Sequence, residues 1–267
     1  MLNNITLGQY YPVDSPVHRL DPRIKLILTI VFIVAVFLAK TFAGYALLFA
    51  FIYGASRVAR IPFRVMMKGL KPLRIILIVT FLLNLFVTPG ETVWVQFWII
   101  RITKEGFLQA LFYSLRLVFL VMGTSLLTLT TSPVALSDGL EILMSPLKVI
   151  HFPAHELAMM MTIALRFIPT LLEETDKIMK AQMARGADFE SGNLIKRAKA
   201  MVPLLVPLFV SSFRRAGDLA MAMESRCYHG GEGRTRLRVL KIGRNDWIAC
   251  GVMAILLGLI ILEGIFL

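Results

Sequence analysis

Five stretches of the chain are apolar enough to read as membrane crossings: Ile24–Ala39, Thr41–Ala55, Leu73–Thr88, Phe107–Thr131 and Trp247–Ile265. A bilayer core takes about 20 residues of helix, with a working range of roughly 17 to 25. The first two stretches are nearly continuous, divided only by Lys40, and together they exceed one crossing. They predict a tight hairpin, with Lys25 and Lys40 snorkelling to opposite faces. Trp94, Trp98 and Trp247 fall near span ends, where amphipathic rings sit at the headgroup level. Between the third and fourth spans, "PGETVWVQFWIIRITKEGF" alternates and is rich in β-branched and aromatic residues, which predicts a short external hairpin or interfacial strand.

The pattern changes after residue 131. Ser132-Pro133 reads as a helix start, Ser as N-cap and Pro in the first turn, running to a breaker near Pro146. A second helix opens at Phe152-Pro153 and runs through "AHELAMMMTIALRFIPTLLEETDKIMKAQMARG", where Gly186 is the stop. A third, "NLIKRAKAMVPLLVPLFVSSFRRAGDLAMAMESRCY", ends before Gly230-Gly231. The first halves of these two long helices are apolar nearly all round, and the second halves are charged and amphipathic. Each is therefore expected to be buried at one end and solvated at the other. Pro169 in one, and Pro203 and Pro207 in the other, remove an N–H in mid-helix, predicting kinked arms and candidate hinges. The expected fold class is an all-α polytopic membrane protein: about five transmembrane helices and a helical coupling domain with two long kinked arms. Residues 1–131 hold four spans, 132–244 the coupling domain and 245–267 the last span.

Charge fixes the expected orientation. The chain carries 29 Lys and Arg against 17 Asp and Glu, and its mean hydropathy is +0.73. The basic residues gather before the first span (Arg19, Arg23, Lys25), between the second and third, and in 132–246, which alone holds 16. The alternate connections hold only Lys40 in one and Arg101 and Lys104 in the other. Positive-inside counting then predicts a multi-pass protein of the cell membrane with a cytoplasmic N-terminus and coupling domain and an external C-terminus. The basic surplus flanks apolar runs and carries no nucleic-acid motif, so the expected partner is the lipid bilayer and not nucleic acid. The polar N-terminal stretch does not read as a cleavable signal peptide. Cys227 and Cys250 form no disulfide framework.

Little of the chain suggests chemistry. The spans hold no carboxylate away from their ends, Glu263 lying near the external terminus, and there is no P-loop. His151 and His155 are separated by Pro153, His155-Glu156 lacks the second His of HExxH, and Cys227-x-His229 is equally weak, so no metal site is expected. Glu173 and Glu174 are expected to pair with Lys177 on their own helix or to face water. No catalytic residue and no directly bound cofactor is expected. A polytopic membrane enzyme with a basic face and a stand-alone permease remain the alternatives.

One repetition stands out. "AQMARGAD" and "AMESRCYH" both place an arginine between small residues at the foot of a long helix: Ala184-Arg185-Gly186 and Ser225-Arg226-Cys227. Singly, either is an ordinary helix-end cation favoured by the dipole. As a pair, after helices of similar build, they suit insertion of a projecting guanidinium fork into an acidic groove.

These segments resemble a known family. "SPVHRLDPRIKL", "TSPVALSDGLEILMSPL", "LRFIPTLLEETDKIMKAQMARGA" and "RRAGDLAMAMESRCY" are similar to the opening motif, the entry to the coupling domain and the two coupling helices of the transmembrane (T) components of energy-coupling factor transporters. The resemblance implies a non-catalytic subunit of an ABC-type importer for vitamins or metal ions. The two arginine triplets would dock on two cytoplasmic ATPase subunits, which hold the ATP and magnesium. The unequal flanks of Arg185 and Arg226 favour a heterodimer of ATPases. It also implies one or more small membrane-embedded substrate-binding S components, packed on the apolar halves of the arms around Met159, Met160, Met161, Leu204, Leu205 and Leu208. The consecutive methionines support such a surface independently, because Met repacks around different partners with little strain.

Overall fold

The computed structural model describes residues 10–89, 92–97, 100–150, 152–189, 193–230 and 240–266; Trp98 and His151 lie outside these. The elements in chain order are α1 (Pro22–Leu38), α2 (Phe42–Val58), α3 (Phe63–Lys68), α4 (Arg74–Val87), β1 (Val93–Phe97), β2 (Ile100–Thr103), α5 (Lys104–Thr130), α6 (Pro133–Met144), a 3-10 turn Ser145–Ile150, α7 (Ala154–Ala184), α8 (Leu194–Glu224) and α9 (Arg244–Phe266). Among the described residues the regular elements are helical apart from one antiparallel hairpin, in which Val95 pairs with Ile102 and Phe97 with Ile100. By length and composition, Lys104–Thr130, Ala154–Ala184 and Arg244–Ile265 can cross a membrane, and Phe42–Val58 and Arg74–Val87 are shorter apolar helices. The five expected spans thus each fall on a helix. α7 qualifies as well because its first half, "LAMMMTIAL", is apolar on every side, although Glu173, Glu174, Asp176, Lys177 and Lys180 crowd its second half.

The chain forms two compact units. One contains the described residues up to Gly139 and from Leu240 onward; the other contains those between Leu140 and Gly230.

In the first unit, α1, α2, α5 and α9 share a core that includes Phe32, Val36, Leu48, Ile52, Phe119, Met122 and Ile260. Lipid is as apolar as these side chains, so helix association there depends on close packing and on polar ties between helices. Close packing is clearest where the Phe32 ring lies over Gly123: a Cβ at that glycine would collide with the ring. Polar ties close both ends of the bundle. At one end the Glu263 carboxylate accepts the Gly44 N–H (2.7 Å), placing an anion at the N-terminus of α2. At the other, the Asp246 carboxylate accepts the Asp21 N–H (2.8 Å) and the Gly243 N–H (2.7 Å), tying α9 to α1.

The N-terminal motif is explained by this second end. Asp21 is the N-cap of α1, accepting the Arg23 N–H at 2.9 Å, with Pro22 in the first turn. The same carboxylate takes the Arg23 guanidinium (2.7 Å), which also donates to the Leu240 carbonyl at 3.2 Å. Lys25 does not snorkel. It is buried, and its Nζ donates to the carbonyls of Thr130 (2.8 Å) and His18 (3.2 Å) and to Thr131 Oγ1 (3.3 Å). The last carbonyls of α5 have no partner within the helix, and a cation there satisfies both the hydrogen-bond deficit and the dipole. Lys40, in contrast, is exposed.

In the second unit, the breaker near Pro146 ends α6 and gives the 3-10 turn. α7 and α8 are each 31 residues and run as single helices through Pro169 and through Pro203 and Pro207. His155 Nδ1 lies 2.9 Å from Glu141 Oε1.

Candidate functional site

The two arginine triplets end their helices in the same way. Arg185 is the C-cap of α7, followed by Gly186 at φ +88°. The Gly186 N–H donates to the Met183 carbonyl (2.9 Å) and the Ala187 N–H reaches back to Gln182 (3.0 Å), the paired bonds of a Schellman motif. At the foot of α8 the Cys227 N–H donates to Glu224 (2.8 Å) and the Tyr228 N–H to Met223 (3.0 Å). Arg226 thus occupies the position of Arg185, and Cys227 that of Gly186, with φ +54°. Both arginines fall one residue or more past the last helical residue. Left-handed backbone is the natural territory of glycine, and a side chain held there costs about 1–2 kcal/mol. The chain thus builds the same hook twice, once with a residue that resists it. All six residues of the triplets are exposed.

A cross-brace links the helices that carry these hooks. Arg215 on α8 donates through Nη2 (3.0 Å) and Nε (3.2 Å) to Glu174 Oε2 on α7. Glu174 therefore does not pair along its own helix as expected; it faces α8. Arg185 lies eleven residues beyond Glu174, and Arg226 eleven beyond Arg215. Eleven residues make about three turns, or roughly 16 Å, and return to nearly the same face. Both arginines therefore follow their brace residue at the same spacing along the chain.

The opposite face of α8 is apolar and open. Val202, Leu205, Val206, Phe209, Val210 and Phe213 are all exposed, following a helical stripe. Leu204 is buried at 5% exposure, and Leu208 is half-buried. These two share the stripe of Ser211 and Arg215 that faces α7, so Leu204 is removed from the expected partner surface and Leu205 is the exposed one of the three. On α7, Met160 and Met161 are exposed, and Met159 is half-buried.

This chain is similar along nearly its whole length to a set of transporter proteins. The family model described as CbiQ, cobalt transport protein, matches residues 14–237. Proteins called energy-coupling factor transporter transmembrane protein EcfT are similar throughout. The one from Thermosediminibacter oceani is 56% identical over 257 residues, 95% of this chain and 97% of its own length. That from Clostridium kluyveri is 53% identical over 267 residues, 100% and 99%, and that from Bacillus subtilis 54% over 240 residues, 90% and 91%. The chain belongs to the CbiQ/EcfT family. It is a membrane protein, and its relatives bear the names of transporter components, in keeping with a subunit that has no active site of its own.

One residue of α5 escaped notice in the sequence. Arg116 stands within an apolar run, with Phe112 and Tyr113 one turn before it. Its guanidinium lies 5.5–5.6 Å from the ring centroids of Phe37, Phe112 and Tyr113, and Nε is 3.3 Å from Tyr45 Oη. A lone cation with aromatics at i−3 and i−4 was the available signal, since cation–π contact is one way to hold a charge in low dielectric.

Proposed function

We infer that this chain is the transmembrane scaffold of an energy-coupling factor importer, in which two cytoplasmic ATPase subunits, holding ATP and magnesium, dock on the two arginine hooks. The observation that carries the reading is the pair of identically capped, exposed arginine ends at equal spacing along the chain from one ion-paired crossing. Ordinary helix ends have no reason to match in cap geometry, register and exposure together. Closure of the ATPases on nucleotide would move the hooks, and the cross-braced helices would pass that movement to a small membrane-embedded S component. The exposed stripe of α8 and the exposed Met160 and Met161 of α7 supply apolar surface for it. Pro169, Pro203 and Pro207 are the candidate hinges. The unequal flanks, Ala and Gly against Ser and Cys, favour two different ATPases. The imported solute is a vitamin or a metal ion, with selectivity residing in the S component. The basic ends of the spans favour a cytoplasmic N-terminus and coupling domain and an external C-terminus.

Affinity purification of the chain from its native membranes, with mass spectrometry of what accompanies it, tests this reading. Two P-loop ATPases and one or more small membrane proteins are expected. Recovery of the chain alone at every salt concentration would reduce the hooks to ordinary helix ends.

A further inference from the structure

A cavity of about 580 Å³ lies in the inner part of the first unit, bounded by α1, α2, α5 and α9. Its wall is almost wholly apolar, including Leu28, Phe32, Phe51, Leu127 and Met253. The ties already described show why it exists. α9 is bonded to the start of α2 through Glu263 at one end and to the start of α1 through Asp246 at the other. α9 therefore leaves α2 as it runs back towards α1, and small side chains at Ala50, Gly54, Ala55 and Ala249 leave the gap unfilled. Val58, Ile248 and Val252 line it and are exposed, so it opens sideways between α2 and α9. Such an opening on a membrane helix bundle faces acyl chains, not water.

The charges around its end point to one occupant. The lining runs to Val58, beside Arg57, and to Asn245, beside Arg244. Acidic groups at this end are already engaged: Asp14 pairs with Arg19, Asp21 pairs with Arg23, and Asp246 takes two backbone N–H groups. Among the described residues, Arg57, Arg60, Lys241 and Arg244 take part in no ion pair. All four are exposed. Arg57 is steered by Tyr53, whose hydroxyl accepts its Nη2 at 2.6 Å. A groove shaped for hydrocarbon, ending among exposed cations that form no ion pair, is complementary to a single amphiphile with an anionic head.

We propose that this groove is a binding site for an anionic phospholipid of the leaflet at the basic end of the helices, one acyl chain lying between α2 and α9 and the phosphate meeting Arg57 and Arg244. The site is independent of the ATPase hooks. A lipid seated there fills the space that α9 leaves beside α2, so its presence stabilises the bundle.

The test uses the purified full chain in detergent, with phosphatidylglycerol or phosphatidylcholine of the same acyl chains added. Native mass spectrometry counts retained lipid, and thermal unfolding reads its effect. Phosphatidylglycerol is expected to be retained and to raise the Tm more than phosphatidylcholine does. Arg57→Gln with Arg244→Gln removes two interfacial cations and is expected to weaken retention by roughly ten- to thirty-fold. Gly54→Leu fills the groove: a Cβ at Gly54 meets nothing within 4 Å, so the variant folds while the lipid is displaced. Equal retention of the two lipids, or unchanged phosphatidylglycerol retention in both variants, overturns the proposal. So does a result in which no lipid is retained and Gly54→Leu instead blocks co-purification of a small membrane protein, which would make the groove a protein-docking surface.

Discussion

At the scale of single residues, the protein solves its boundary problems with a few polar side chains placed where helices end. Asp21, Lys25, Asp246 and Glu263 each satisfy backbone groups that a helix terminus leaves open. His18 belongs to the same network: its Nε2 lies 3.0 Å from the Tyr11 carbonyl and its Nδ1 2.7 Å from Ser15 Oγ, an arrangement suited to the neutral ring. Burial, ahead of all other influences, lowers its pKa below 6.5. A depressed folded pKa means that stability is full above the unfolded value and is lost as pH falls through the folded one. Acidification below pH 6.5 is therefore expected to loosen residues 11–18, read as faster amide exchange there, and His18→Gln should flatten that dependence. At the second hook, Cys227→Gly removes the left-handed penalty and should add about 1 kcal/mol to local stability, whereas Cys227→Val should lower that stability and weaken docking. Amide exchange at residues 223–228 and ATPase affinity measure the two effects. Arg185→Ala should reduce affinity for one ATPase more than tenfold, since unpairing a desolvated charge costs ~2–5 kcal/mol, and Arg185→Lys should restore little because the fork is lost.

At the scale of elements, hydrophobic pattern and helix punctuation were enough to place the long helices, while the six-residue α3 was not read. Ser132, Pro153 and Gly186 mark boundaries because capping chemistry is local, and the five apolar runs each fall on a helix, although of these only α5 and α9 are long enough to cross a membrane by length and composition. Facing was harder to see. Lys25 reads as a snorkelling cation because nothing near it in sequence announces the carbonyls of Thr130, over a hundred residues away. Leu204 is hidden because its half of α8 is apolar nearly all round, so no polar stripe shows which side meets α7, and Glu174 because Lys177, one turn on, is a nearer partner in sequence than Arg215. The brace they hide makes a separable prediction. Arg215 is partly exposed, so Glu174→Gln should change unfolding stability little. Transport per ATP hydrolysed should nevertheless fall, and the reversed pair Glu174→Arg with Arg215→Glu should recover it. A coupling ratio unchanged in Glu174→Gln would make the pair incidental. In the first unit, Gly123→Val should cost ~1–3 kcal/mol by forcing Phe32 off α5, measured as a lowered Tm.

At the scale of the whole molecule, two units divide the work. One is a helix bundle tied at both ends by carboxylates and opened on one side by a groove. The other carries two long helices joined by one ion pair and ending in matching hooks. The repeated arginine was legible in the sequence because the hook is a local structure, written in the small residues around it; its equal spacing from the crossing was not, because that depends on which residues meet. The central claim is that each hook holds one ATPase. Its most direct measurement is native mass spectrometry of the complex reconstituted from this chain and its two ATPases, with Arg185→Ala, Arg226→Ala and the double variant. Each single variant is expected to lose a different ATPase and the double variant both; a double variant that keeps both ATPases at unchanged affinity would contradict the account.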